Sequence, residues 1–151
     1  MRSATILLLV VGLFSVDGCT PSKPKPSEWP KTGSETVVNL SPTKLVEVAQ
    51  QAIAAPPLSL STEKVENGTI FTGWKEYRGE LHLVRYWFER TRYRITVSPQ
   101  FGDPNKSRIT VEDQTEEKAT EGQPWYPAPE THRPERSQEV LNAILAQAGK
   151  V

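Results

Sequence analysis

Two stretches of alternating residues constrain this chain more than anything else in it. Around the first, Tyr93, Ile95 and Val97 alternate with Arg90, Arg92 and Arg94. The second, residues 107–118, repeats the spacing with Ile109 and Val111. Successive strand side chains point to opposite faces, so a period of two means a strand with one buried side. Between them, Pro99, Gly102, Asp103, Pro104 and Asn105 give residues 98–106 the composition of a loop. If Val97 faces Ile109 across that loop, then Ile95 faces Val111, Arg94 faces Glu112 and Arg90 faces Glu116. Apolar residues then meet on one side and opposite charges on the other, each cross-strand pair contributing a few tenths to about 1 kcal/mol. One register satisfies both faces, which predicts an antiparallel hairpin.

The flanking segments fill in the rest of a fold. Ser41 before Pro42 is a helix start, because Ser caps the free N–H groups and Pro suits the first turn. Leu45, Val46, Ala49, Ala52 and Ile53 then recur at helical spacing until Pro56 and Pro57 intervene, which predicts a helix over 42–54. Residues 58–65 and 69–77 are strand-like and separated by Asn67-Gly68, a pair that accepts the positive φ angles of a type I′ hairpin. Arg78-Gly79-Glu80 has turn composition, and the long strand then runs over 81–97. Its first half, residues 84–88, is apolar on both faces, as a bulge, a covered edge or a docking surface would be. Residues 119–133 are irregular and polar around Trp125 and Tyr126. Pro134 opens a last helix with a stripe of Val140, Leu141, Ile144, Leu145 and Ala148, stopped by Gly149. The expected fold is a single two-layer α+β domain over 37–151. Its antiparallel sheet has about four strands, with both helices on one face.

The chemistry favours binding over catalysis. The chain has two histidines, His82 in a strand-like run and His132 in a Pro-rich loop, and neither has a second ligand at metal-binding spacing. Asp103 falls in a turn and Asp113 in a strand. No nucleophile elbow, phosphate loop or Gly-rich dinucleotide turn occurs. Catalytic residues, metal and cofactor are therefore all expected to be none. The formal net charge is zero, which gives no global pull on nucleic acid, and no nucleic-acid partner is expected.

Arg90, Arg92 and Arg94 have two readings: a solvated face paired with Glu112 and Glu116, or a seat for an anionic partner. Trp74, Tyr77, Tyr86, Trp87, Phe88 and Tyr93 serve either as core and edge cover or as a recognition surface, since Trp, Tyr and Arg are the usual interface anchors. Trp125 and Tyr126 share that ambiguity. The candidate partner-binding set is Tyr86, Trp87, Phe88, Arg90, Arg92, Arg94, Trp125 and Tyr126.

The N-terminus supplies an address. Arg2 precedes a short apolar run over residues 4–16, the pattern of a secretory signal peptide and too short for a comfortable membrane span. The exit, Val16-Asp17-Gly18-Cys19, resembles the lipobox of bacterial lipoproteins. Val16 and Gly18 stand at its aliphatic and small positions, and Cys19, the single cysteine of the chain, stands where the lipid is attached. The resemblance implies that residues 1–18 are a signal peptide and that Cys19 is lipidated and holds the protein on a membrane. Thr20, not Asp, in the following position implies the outer membrane, with the domain facing the periplasm. Residues 19–36 carry Pro21, Pro24, Pro26 and Pro30 and read as a tether that reaches about 50 Å if extended. Trp29 within it touches the bilayer interface, touches the domain, or is an exposed linker residue.

The domain itself resembles the BamC-type lipoproteins. The likeness rests on a helix followed by Asn67-Gly68-Thr69-Ile70-Phe71-Thr72-Gly73-Trp74. It continues in Tyr93-Arg94-Ile95-Thr96-Val97, Ser107-Arg108-Ile109-Thr110-Val111 and the closing helix. It implies a helix-flanked sheet and a place among the accessory lipoproteins of the outer-membrane β-barrel assembly machinery, with no catalytic residues to carry over. The expected function is that of a lipid-anchored, non-catalytic envelope lipoprotein that binds an envelope protein partner. The alternatives are binding of anionic lipid or glycan through the arginines and, last, a hydrolase built on a histidine.

Overall fold

The computed structural model describes residue 29 and residues 33–82, 85–128 and 133–151. The expected signal peptide, Cys19, His132 and most of the expected tether lie outside these residues. The elements in order are β1 (Ser34–Val38), α1 (Pro42–Ala54), β2 (Thr62–Glu66), β3 (Thr69–Thr72) and β4 (Lys75–His82), followed by β5 (Arg85–Gln100), β6 (Asp103–Lys118), β7 (Tyr126–Pro127) and α2 (Pro134–Ala148).

The fold is α+β, and among the described residues the antiparallel sheet has seven strands where about four are expected. Four of the strands run β6-β5-β3-β2. β1 and β7 both add to the outer side of β6, and β4 continues along β5 beyond β3. β1 and β7 are short edge strands that local periodicity does not announce, β1 pairing with a strand roughly seventy residues away. β4 is the far end of an expected strand that breaks at Gly73 and Trp74, and it pairs with its neighbour β5. β1 begins at Ser34, inside the stretch whose prolines suggest tether. It pairs Ser34 with Val111 and Val38 with Ser107, because β6 offers it an open row of backbone donors and acceptors.

The β5–β6 hairpin is the frame. Its register pairs Val97 with Ile109, Ile95 with Val111, Arg94 with Glu112 and Arg90 with Glu116, as the two-face match requires. Pairing continues through Pro99 opposite Ser107, so the loop contracts to a turn around Phe101 and Gly102. Gly102 takes a positive φ of 82° there, a conformation natural to glycine. At the β2–β3 turn Asn67 and Gly68 have φ of 50° and 76°, as a type I′ turn demands. Gly68 is also a packing requirement, since a Cβ on it would lie 2.6 Å from the Val97 carbonyl oxygen.

The break between β3 and β4 falls at Gly73 and Trp74. The Gly73 N–H donates to the Ser61 carbonyl at 2.9 Å, while the Thr72 hydroxyl accepts the Tyr93 N–H at 2.9 Å. A side chain thus takes over a backbone role where the ladder lapses. The turn composition of Arg78-Gly79-Glu80 does not end the strand. β4 runs on to His82 with a register shift between Arg78 and Leu81, so the glycine marks a bulge and β5 starts at Arg85.

Both helices form over their expected spans. Leu45, Ala49, Ala52 and Ile53 of α1 and Val140, Leu141 and Ile144 of α2 pack into one core with Ile70, Tyr93, Ile95, Val97, Ile109 and Val111 of the sheet. Each fully buried aliphatic side chain there contributes about 1.5–3 kcal/mol. The helices thereby take the face of β5 that bears its odd-numbered residues.

Candidate functional site

The even-numbered residues of β5 carry the other face. Arg90 reaches across to Glu116, with Nε and Nη2 donating to the same carboxylate oxygen at 2.9 and 2.6 Å. Arg94 grips Glu112 with a two-point fork, Nη2 donating to Oε1 at 2.7 Å and Nε to Oε2. The glutamate side chains keep only 12% and 11% of their exposure, so these two-donor pairs are screened by salt less than open surface bridges. Arg92 breaks the series. Its cross-strand neighbour is Gln114, whose amide oxygen accepts the Arg92 Nε–H at 2.7 Å.

Aromatic rings cover these guanidinium groups. The Arg90 Cζ lies 4.3 Å from the Trp74 ring centre and 4.5 Å from that of Trp125. Arg92 stacks on Trp74 at 4.7 Å and on Trp29 at 5.2 Å, and Arg94 on Trp29 at 5.0 Å. Lys118 lies 4.4 Å from the Trp125 ring and 5.4 Å from that of Phe88. Rings and cations therefore alternate along the sheet from Trp29 to Phe88. Each contact is worth about 0.5–1 kcal/mol when exposed and more when dry, because the ring face is the negative end of its quadrupole. Trp29 also meets Phe71 edge to face, with centres 6.3 Å apart and planes at 64°. Of the three expectations for Trp29, contact with the domain is the one that holds. Beside it opens a cleft of about 320 Å³, lined by Trp29, Glu63, Lys64, Phe71, Thr72 and Arg92.

A second polar cluster lies on the helix side, where α2 meets the sheet. Its cap position, Arg133, has no side-chain cap of its own. Instead its N–H donates to Asp113 Oδ2 at 2.6 Å, so a sheet carboxylate serves the helix end, where negative charge is favoured by the helix dipole. Arg136 donates to Glu89 Oε2 at 2.7 Å and to the Thr91 hydroxyl at 2.6 Å, and stacks on Tyr77 at 4.3 Å. Arg133 adds a second contact to Glu89 at 3.3 Å. Burial pushes the Glu89 carboxyl up, but the hydrogen bonds and charges of Arg136 and Arg133 outweigh it and hold it below its ordinary value. Glu117, opposite Glu89 in the ladder, is raised by burial and then by the Glu89 charge. Tyr93 is pushed far up by burial and by its 3.2 Å contact with the Tyr77 hydroxyl. With Asp113, Thr91 and Thr115 fully buried, the cluster works as a clamp that seats α2.

The candidate residues thus divide. Phe88, Arg90, Arg92, Arg94 and Trp125 come together on the outer face. Tyr126 is on β7, opposite Glu117 and 45% exposed. Tyr86 and Trp87 are on β5 further along, where Tyr86 pairs with Leu81. His82 ends β4, and Cys19 lies outside the described residues. Sequence reasoning did not place Trp29, Gln114 or Lys118 on this face. Gln114 had a readable signal, since it stands between Glu112 and Glu116 where the strand period calls for a third acid.

Among the described residues, no three His, Cys, Asp or Glu side chains gather as a metal site would require, and no helix is long and apolar enough to cross a membrane. No protein-family model matches the chain, and no curated protein matches it at a significant level.

Proposed function

We propose that this protein is a lipid-anchored lipoprotein of the bacterial cell envelope, held by Cys19 on the outer membrane and facing the periplasm. Its domain acts by binding a protein partner, as an accessory subunit of an outer-membrane assembly or transport complex. The observation that carries this reading is the alternation of Trp29, Arg92, Trp74, Arg90, Trp125 and Lys118 across one sheet face. Rigid aromatic and guanidinium groups lose little freedom on binding and are the side chains that dominate protein interfaces. The lipobox-like Val16-Asp17-Gly18-Cys19 supports the address, and the resemblance to BamC-type domains supports the class of complex.

Binding of anionic lipid or glycan by the arginine stripe is less favoured, because two of the three arginines are already matched by Glu112 and Glu116. The test is an affinity capture of the intact lipoprotein from membranes, with a Cys19→Ala control and a lipid-probe label. The expected outcome is label on the wild type alone, with a defined envelope protein co-purifying and lost in Trp125→Ala. An unlabelled wild type overturns the anchor. A labelled protein that co-purifies nothing, yet binds anionic vesicles in a salt-sensitive way, overturns the partner.

A further inference from the structure

The arginine stripe contains one mismatch. Arg90 and Arg94 each meet a glutamate across the strand pair, and Arg92 meets a neutral glutamine. Among the described residues no carboxylate forms an ion pair with Arg92, and its hydrogen bond to Gln114 uses Nε, leaving the Nη edge without a protein acceptor. The group is nevertheless fixed in place, with the Trp29 and Trp74 rings 5.2 and 4.7 Å from its Cζ. It lines the cleft of about 320 Å³ whose apolar walls are Trp29 and Phe71. A positioned guanidinium offers parallel donors that match a carboxylate fork, and stacking on rings removes most of the ordering entropy before a ligand arrives.

The geometry points to a carboxylate-binding subsite, in which the cleft takes a chain terminus of the partner, its carboxylate forked onto Arg92 and its apolar or aromatic last side chain against Trp29 and Phe71. Two neighbours tell the anion's charge. Glu63 lines the same cleft, and the Lys64 charge is already answered by Glu66 at 2.5 Å. The lining therefore tolerates one negative charge better than the two of a phosphate monoester. Gln114 keeps the seat open: a glutamate there would repeat the pattern of Glu112 and Glu116 and fill the Arg92 fork from within. The site deepens the assignment of the outer face as the binding surface and rests on it, adding the chemistry by which one part of a partner, a chain terminus with an apolar last residue, is held.

The test titrates the full chain in detergent with benzoate, benzamide and phenyl phosphate, following the Arg92 Nε–H and Trp29 indole signals by nuclear magnetic resonance. Benzoate is expected to saturate with shifts confined to the cleft, and benzamide and phenyl phosphate to bind at least about tenfold more weakly. Arg92→Gln and Gln114→Glu are each expected to weaken benzoate by about tenfold or more. Inner-core resonances of both variants are compared with the wild type, so that a loss of binding is told apart from a loss of fold. Equal binding of benzamide, tighter binding of phenyl phosphate, or undiminished benzoate binding by Gln114→Glu overturns the inference. Failure of the wild type to bind benzoate, while Trp125→Ala still abolishes partner capture, sinks the cleft and leaves the outer face as the interface.

Discussion

Strand β5 separates two faces with opposite ways of holding together. Tyr93, Ile95 and Val97 lie under the helices, at most 4% exposed, among apolar neighbours. Arg90, Arg92 and Arg94, one residue out of phase, lie among tryptophans and across from acids and an amide. The inner face is stabilised by removing apolar area from water, which is large and indifferent to direction. The outer face is stabilised by charge pairs and ring stacking, which are individually small and directional. Stability is therefore concentrated on the inner face, and a defined surface shape on the outer one. Residues of the second can therefore change without unfolding the first.

Mutations can break or sharpen that contrast. Ile95→Ala, at a position with no exposure, should destabilise by about 2–5 kcal/mol in denaturant titration. A loss under about 1 kcal/mol would mean that the inner face is not the stabilising one. Arg136→Met removes the clamp while leaving Glu89 partly buried, and should lower stability by about 1–3 kcal/mol. The loss should be partly restored by Glu89→Gln in the same chain, and an absence of that coupling would argue against the clamp. On the outer face, a double-mutant cycle of Arg94→Gln and Glu112→Gln should give a coupling of about 1 kcal/mol, read from unfolding midpoints. Trp74→Leu should remove about 0.5–1 kcal/mol for each ring–guanidinium contact it breaks, with the inner core's proton resonances unmoved.

The smallest effect is the pH dependence of the clamp. Glu89 is held below its ordinary 4.5, so its contribution is present above that pH and is lost as pH falls through the lowered folded value. Glu117 is raised and acts in the opposite sense, its folded state losing ground as pH rises from 4.5 through the raised value. Acid unfolding curves of wild type and Glu89→Gln should therefore converge below the Glu89 transition. Curves that stay parallel throughout would count against its role.

How much of this was legible in the sequence depended on range. The α1 span was readable because Pro42 suits its first turn, the Leu45 to Ile53 stripe sustains it and Pro56-Pro57 stops it, although the Ser41 side chain makes no capping hydrogen bond. The register of β5 on β6 was readable because two independent patterns, apolar and charged, had to agree. The candidate site was only half visible. Arg90, Arg92, Arg94 and Trp125 stood out by type, but that Trp125 folds onto Arg90 and Lys118 depends on where β7 docks. Likewise Gly79 looked like a turn by composition and became a bulge, because β5 was there to keep pairing with the strand.

The amino-acid sequence by itself determined the two helices, the Asn67-Gly68 turn, the central hairpin with its register, and the division of β5 into an apolar and a charged side. Each of these follows from periodicity or from backbone preferences within a few residues. Only the tertiary structure decided that β1 and β7 close the β6 edge, that Asp113 caps α2, and that Trp29 comes back to stack on Arg92 and Arg94. Those contacts join residues far apart in the chain. Their partners are chosen by which edge, carboxylate or ring is left available once the core has packed, and no local pattern records that availability.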